Sequence, residues 1–357
     1  MELEYVIGEL VMNGNERYIE FKNVIIKIFK NAGFDTDVDK DYKIADRIEY
    51  IDLVISKNNF YFALSIDYNR SITEVYLRDD TVYHIENSIN AQFDEPYIVV
   101  IPILVTNTLF WDYHDDCDDI KELIVIDIQN LLYIVNSNMS LKNELLSTLE
   151  FSVRGIIPKK PNTNLFPRIE YSFNEDDNNN SYSFIATLKA WSPSENKSRK
   201  YEDLCTDILK HLFIDDLDLW KEQEKSNDDL YRFDMISKIK NNNTDNFWQN
   251  LIQFFNSKYI IFEYKNYSKE VSQKEIYTTE KYLYAKALRS VAIIISCKGA
   301  SINADKAIKG SLRESGKLII SIDNNDLIRM LEIKEDNKNP SDYLYDKLDY
   351  LLINLEK

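Results

Sequence analysis

Glycine and proline are scarce, seven of each in 357 residues. That composition excludes a collagen-like chain or a long low-complexity linker. The three cysteines, Cys117, Cys205 and Cys297, have no paired spacing. A disulfide scaffold and a cysteine zinc site are therefore excluded, and a reducing cytosol is the expected compartment. The longest apolar run, residues 97–105, is too short to span a bilayer. The opening Met1-Glu2-Leu3-Glu4 has neither the basic start nor the apolar core of a signal peptide. The expectation is a cytoplasmic protein without a membrane partner. No G-x-x-x-x-G-K-[ST] loop, nucleophile elbow or G-x-G-x-x-G motif occurs, which leaves ATP hydrolysis, serine hydrolysis and dinucleotide binding without support.

Positive charge is also short overall. The formal net charge is -17, and most of it falls in the first 200 residues. That excludes a general nucleic-acid coat, because phosphate binding requires local positive charge. The balance reverses in residues 265–317, which hold 11 basic and 5 acidic side chains. Such a basic stretch on an acidic protein is a local electrostatic footprint, although a solvated helical face has the same composition.

What is present is a substantial apolar fraction, 44%, enough for real cores. Apolar runs alternate with helical patterns, which indicates α/β layers with each sheet covered on both faces. The chain reads as two similar halves. The first opens with a helical pattern over residues 18–32, with Glu20 near its start and Asp52 32 residues later. The second opens with residues 201–213, with Glu202 near the start and Asp234 again 32 residues later. Apolar strands at residues 97–101 and 290–295 answer one another, as do residues 123–127 and 318–323. Terminal helices at residues 141–149 and 342–355 complete the match. The expected organisation is a domain over residues 1–150, a linker over 151–197 with a hairpin of residues 168–173 and 182–191, and a second domain over 198–357.

The chemistry concentrates in Ile260-Ile261-Phe262-Glu263-Tyr264-Lys265. Side chains alternate along a strand, so Glu263 and Lys265 project from one face. A carboxylate can hold a divalent ion there while an ammonium orients the attacking water. The acid-rich residues 111–119, which include His114, lack the spacing and glycine of an EF-hand and read as a solvated loop. His84 and His211 stand alone.

Together, Glu202, Asp234 and Glu263-x-Lys265 resemble the PD-(D/E)xK nuclease signature, closest to the Mrr-type restriction-endonuclease-like proteins, over residues 198–330. Phe233 stands where that signature has proline, and the gap from Asp234 to Glu263 is longer than a minimal hairpin. The resemblance implies two tandem restriction-endonuclease-like domains, each a mixed sheet flanked by helices. It implies a metal-dependent endonuclease that hydrolyses DNA and serves defence against foreign DNA. Asp234 and Glu263 would ligate Mg²⁺ or Mn²⁺, Glu202 would hold a bound water or second ion, and Lys265 would position the nucleophilic water. Lys281, Lys298, Lys306, Lys309 and Arg313 would meet backbone phosphates, with Lys281 and Tyr282 opening a helix and the others surrounding a loop at Gly299. Nothing discriminates the sugar, so RNA remains open beside DNA. The first half keeps Asp52 but reads Ser65-Ile66-Asp67 where an acid and a lysine are expected. It is expected to be an inactive copy that holds a homodimer or a protein partner. The alternative is a non-catalytic scaffold subunit of a defence complex, with Glu263 and Lys265 an ordinary ion pair.

Overall fold

A computed structural model describes residues 14–36, 52–57, 60–72, 74–75, 100–110, 123–161, 163, 180–194, 197–222 and 233–355. The acidic run 111–119, His84, and the hairpin arm 168–173 lie outside them. The chain divides into two compact units, Met1–Phe151 with Gly155–Asn174, and Ser152–Arg154 with Glu175–Lys357. Each is a mixed α/β unit whose main sheet is mixed and flanked by helices.

Among the described residues the first unit has α1 (Gly14–Asn31), then β1 (Leu53–Lys57) and β2 (Phe60–Asp67). A short strand β3 (Glu74–Val75), then β4 (Val100–Thr106), β5 (Leu109–Phe110) and β6 (Ile124–Ile126) follow. Helices α2 (Ile128–Val135) and α3 (Met139–Thr148) close the unit. The main sheet runs β1-β2-β4-β6, with β1 antiparallel to β2 and the remaining pairs parallel. Strands β3 and β5 form a separate parallel pair. Helix α1 buries Phe21, Val24, Ile25, Ile28 and Phe29, the stripe that its three- and four-residue spacing requires. Arg17 donates to the Ser147 carbonyl at 2.9 Å and ties α1 to the end of α3.

The second unit contains α4 (Asn180–Lys189), α5 (Ser198–Phe213), β7 (Leu217–Glu222), β8 (Met235–Ile239), α6 (Asn246–Phe255) and β9 (Tyr259–Lys265). Then come α7 (Gln273–Glu280), a 3₁₀ turn (Ala285–Ala287), β10 (Val291–Ser296), α8 (Ile302–Ser315), β11 (Leu318–Asp323), α9 (Asn324–Glu335) and α10 (Ser341–Ile353). The sheet order is β11-β10-β9-β8-β7. Strands β7, β8 and β9 are successively antiparallel, while β9, β10 and β11 are parallel.

Alternation along β9 and β10 divides this core in two. Ile260, Phe262 and Tyr264 join Ile293 and Ile295 on the face packed by residues of α5, α6, α9 and α10. Ile261 joins Ala292 and Ile294 on the other face, against Ile276 of α7 and Ala304, Ala307 and Ile308 of α8. Trp248 is fully buried, and its Nε1 donates to Ser341 Oγ at 2.9 Å, linking α6 to α10. Two sequence expectations are corrected. Residues 182–189 lie in helix α4, not in a hairpin strand; Phe184, Ile185 and Leu188 lie three and four apart and pack into the core. Lys281 does not open a helix but caps the end of α7, whose start is set eight residues earlier by a Ser272–Glu275 capping box. No helix among the described residues is long and apolar enough to cross a membrane.

His211 supplies a test of this packing. Its Nε2 lies 2.8 Å from Ser181 Oγ, and its ring lies 5.8 Å from that of Phe184 on α4. Burial, aided by the Lys334 ammonium, lowers its pKa from 6.5 to about 4. The folded state therefore holds a neutral ring that the unfolded state protonates first. Its contribution to stability is complete above about pH 6.5 and is lost as pH falls toward about 4. Urea unfolding followed by Trp fluorescence should show a decline of up to about 3 kcal/mol over that interval, reduced in His211→Gln.

Candidate active site

The antiparallel pairing of β8 with β9 sets the site. Met235 pairs with Phe262 and Ile236 with Ile261, so the residue before β8 lies beside the end of β9. Asp234, 30 residues from Tyr264 in sequence, accepts from its backbone N–H at 2.8 Å through Oδ2. Glu263 Oε1 accepts from the Asp234 N–H at 3.4 Å. Lys265 Nζ lies 2.8 Å from Glu263 Oε2 and 3.7 Å from Asp234 Oδ2. Glu263 and Lys265 continue the alternation begun by Ile261 and emerge on the face covered by α7 and α8. The side chains are 5% exposed at Glu263, 18% at Lys265 and 23% at Asp234. This is a largely buried ion cluster in which Asp234 and Lys265 keep some contact with water.

Burial pushes the Glu263 carboxyl up to about 7, with the Lys265 ammonium opposing the shift and the Asp234 charge adding to it. Desolvation alone would lower Lys265, but the two carboxylates reverse the sign and hold it well above its ordinary range. The ammonium stays charged, and Glu263 carries the group's titration near neutrality.

Glu202 lies on α5. One turn further along that helix, Thr206 Oγ1 is 2.9 Å from the Tyr264 hydroxyl, which docks α5 beside the end of β9. Arg199 contacts Glu202 at 3.6 Å, Asp203 at 3.0 Å and Glu222 at 2.8 Å. Glu222 pairs in register with Met235, so Glu202 is held toward the Asp234 end of the sheet. Among the described residues no three acid, histidine or cysteine side chains gather closely enough to hold a metal ion. Asp234 and Glu263 meet; Glu202 does not complete a triad with them. The two carboxylates still suit a hard cation, because Mg²⁺ is commonly held by one or two carboxylates and keeps several waters.

The basic residues lie on separate elements. Lys298 is exposed two residues beyond Ser296, which is level with Lys265. Lys306, Lys309 and Arg313 lie along α8, not around the Gly299 loop. Their spacing gives one helix stripe, and Arg313 stands about 10 Å further from the helix start than Lys306. Arg313 pairs with Glu314 at 3.0 Å. Lys281 follows Glu280, whose carbonyl accepts from Lys317 at the start of β11. That places Lys281 toward the opposite end of the sheet from Lys265. Sequence reasoning missed the Tyr264 N–H that fixes Asp234 and the Arg199 clamp. The first has no side-chain signature; in the second, Glu202 and Asp203 are helical neighbours of Arg199, but Glu222 joins them only once α5 and β7 are adjacent.

The first unit repeats part of this geometry. Asp52, just before β1, accepts from the Ile66 N–H on β2 at 2.6 Å. Ile66 stands between Ser65 and Asp67 as Tyr264 stands between Glu263 and Lys265. The Tyr18 hydroxyl donates to Asp52 Oδ1. Asp67 accepts from Asn69 Nδ2 at 2.7 Å and Thr106 Oγ1 at 3.3 Å. Glu20 pairs with Arg17 at 3.2 Å. No family model, no curated protein and no solved structure matches the chain.

Removing the ammonium tests the electrostatics. Lys265→Met leaves Glu263 buried without its cation, so its folded pKa rises further above the unfolded value. The associated stability is present at low pH and lost as pH rises through that folded pKa. The variant should lose about 3 kcal/mol at about pH 8 and clearly less at about pH 5. Glu263→Gln combined with Lys265→Met should recover most of the loss in urea titrations at both pH values.

Proposed function

We propose that the second unit is a metal-dependent endonuclease of the PD-(D/E)xK type, hydrolysing phosphodiester bonds of DNA. The observation that carries this reading is the meeting of Asp234, Glu263 and Lys265 at paired strand ends. A strand-start acid beside an acid-x-lysine, with a glutamate-bearing helix docked next to them, is the layout that the resemblance implies.

Asp234 and Glu263 would hold Mg²⁺ or Mn²⁺, which supplies Lewis-acid polarisation of the phosphoryl oxygen and a more acidic water. The Tyr264 N–H fixes the Asp234 carboxylate, so that ligand is oriented before any cation arrives. Glu263 must be ionised to act as a ligand, and its raised pKa makes cation uptake release a proton near neutrality. Lys265 donates a hydrogen bond to the incoming water and balances negative charge on the phosphoryl group. Glu202, held at the same sheet end by Arg199, is the third acid of the reading.

The first unit, with Ser65 and Asp67 in place of acid and lysine, is read as a diverged and inactive copy. Its acidity suits a protein partner or the homodimer contact better than DNA. Two active units in such a dimer would cut both strands, in keeping with a cytoplasmic defence role against foreign DNA; RNA is the competing substrate.

One observation favours a scaffold instead: the Glu263–Lys265 pair is already satisfied at 2.8 Å, as a structural ion pair would be. Plasmid nicking and linearisation with Mg²⁺ or Mn²⁺ decide between them. The wild type should cleave, chelation should stop it, and Asp234→Ala and Lys265→Ala should each lower the rate by about 100-fold or more. Circular dichroism establishes that the variants are folded. A wild type as inert as both variants on DNA and RNA, with either ion, supports the scaffold.

A further inference from the structure

The face that carries Glu263 and Lys265 also carries a cation that no part of the ion cluster uses. Arg289 lies just before β10, and its guanidinium sits 5.7 Å from the centre of the Phe233 ring. Phe233 is the residue before Asp234 and is itself buried, with the Tyr282 ring 6.3 Å away. The Arg289 Nε–H is buried without a hydrogen-bond partner. Among the described residues no carboxylate pairs with the guanidinium, whose pKa is lowered by burial. Leaving such a donor unmade is unfavourable, so an arginine kept in this state is suited to an anion that arrives from outside.

The backbone around it is held firmly. Tyr284 and Arg289 exchange backbone hydrogen bonds at 2.8 and 3.4 Å across the turn. Leu288 adopts the left-handed conformation, φ 52°, which a leucine seldom occupies. Its carbonyl accepts from the N–H groups of Lys258 and Tyr259 at 2.8 and 2.9 Å, fixing the turn to the start of β9. Strained, over-determined backbone of this kind clusters at ligand clamps. Residues 281–289 contain Lys281, Lys286 and Arg289 and no acid. Both lysines are exposed.

We propose that the segment 281–289 is a backbone clamp for the nucleic acid, in which Arg289 binds a phosphate flanking the scissile one and Lys281 and Lys286 hold the strand beyond it. The proposal rests on the nuclease reading for the word scissile, but the binding itself does not require cleavage. The clamp reads phosphate and not base, so it adds affinity without sequence preference. Tyr282, half-buried beside Phe233, feels the ion cluster: burial raises its pKa, the Glu263 and Asp234 charges add to the shift, and the Lys265 ammonium opposes it.

The test is binding of a short fluorescent DNA duplex to the full chain across a salt series in chelator, with cleavage kinetics measured separately in Mg²⁺. Arg289→Gln should weaken binding about tenfold and reduce the slope of log affinity against log salt by about one. In cleavage it should raise KM while leaving kcat within about threefold, a split that a misfolded site would not give. Lys281→Gln with Lys286→Gln, both on exposed positions, should reduce the slope by about two and serves if Arg289→Gln fails to fold. An unchanged slope in the folded variants overturns the clamp, as does a wild type that binds no duplex. A wild type that binds but does not cleave, with the slope changes intact, upholds the clamp and overturns the nuclease reading. Cleavage with unaltered slopes does the reverse.

Discussion

The antiparallel contact between β8 and β9 is the constraint from which the rest of the candidate site follows. It brings the residue before one strand against the last residues of the other. Asp234 and Glu263 thereby become neighbours, with Asp234 N–H and Tyr264 N–H each given to a carboxylate. Two like charges so close would repel, and the Lys265 ammonium between them answers that repulsion. The cluster is then one electrostatic unit. Its members depend on strand register, since a one-residue slip would turn Glu263 and Lys265 into the opposite core.

That register is itself secured by packing. On one face, Phe262 and Tyr264 are locked among the helices that include α5 and α6, with the Tyr264 hydroxyl meeting Thr206. On the other, Ile261 and Ile294 are covered by α7 and α8. Between them, β10 is buried along its whole length and carries only apolar residues until Ser296. The strand ends are where this apolar cover stops, so charged groups can be gathered there at tolerable desolvation. Arg199 joins α5 to β7 at that end, and the Arg289 turn is bonded to the start of β9.

The two sheets share a pattern beyond general α/β architecture. In each, an aspartate just outside an antiparallel strand accepts from a backbone N–H near the end of its neighbour, through Asp52 to Ile66 and Asp234 to Tyr264. In each, the neighbour continues into two parallel strands, and the last leads to an aspartate that caps the next helix in a capping box, Asp127 and Asp323. What differs is the pair of side chains flanking that N–H. Serine and aspartate in the first unit stand where glutamate and lysine flank the N–H in the second, and Tyr18 donates to Asp52.

The amino-acid pattern by itself determined the types of the long periodic elements and the shared face of Glu263 and Lys265. These follow from local periodicity: apolar stripes at helical spacing in α1 and α5, an apolar run over residues 291–295 of β10, and a run in β11 interrupted only by Ser321 before Asp323. It also marked Glu202 and Asp234 by their 32-residue separation, which Glu20 and Asp52 repeat. It misread residues 182–189, where a helical stripe resembles a strand over a short window, and it overlooked the Ser272–Glu275 cap. Only the tertiary structure decided which distant groups meet. Asp234 joins Glu263 because two strands run in opposite directions, whereas Lys281 and Arg313 are carried away from Lys265 because α7 and α8 run along the sheet. Proximity across strands is fixed by pairing and chain direction, and neither is encoded in the local spacing of side chains.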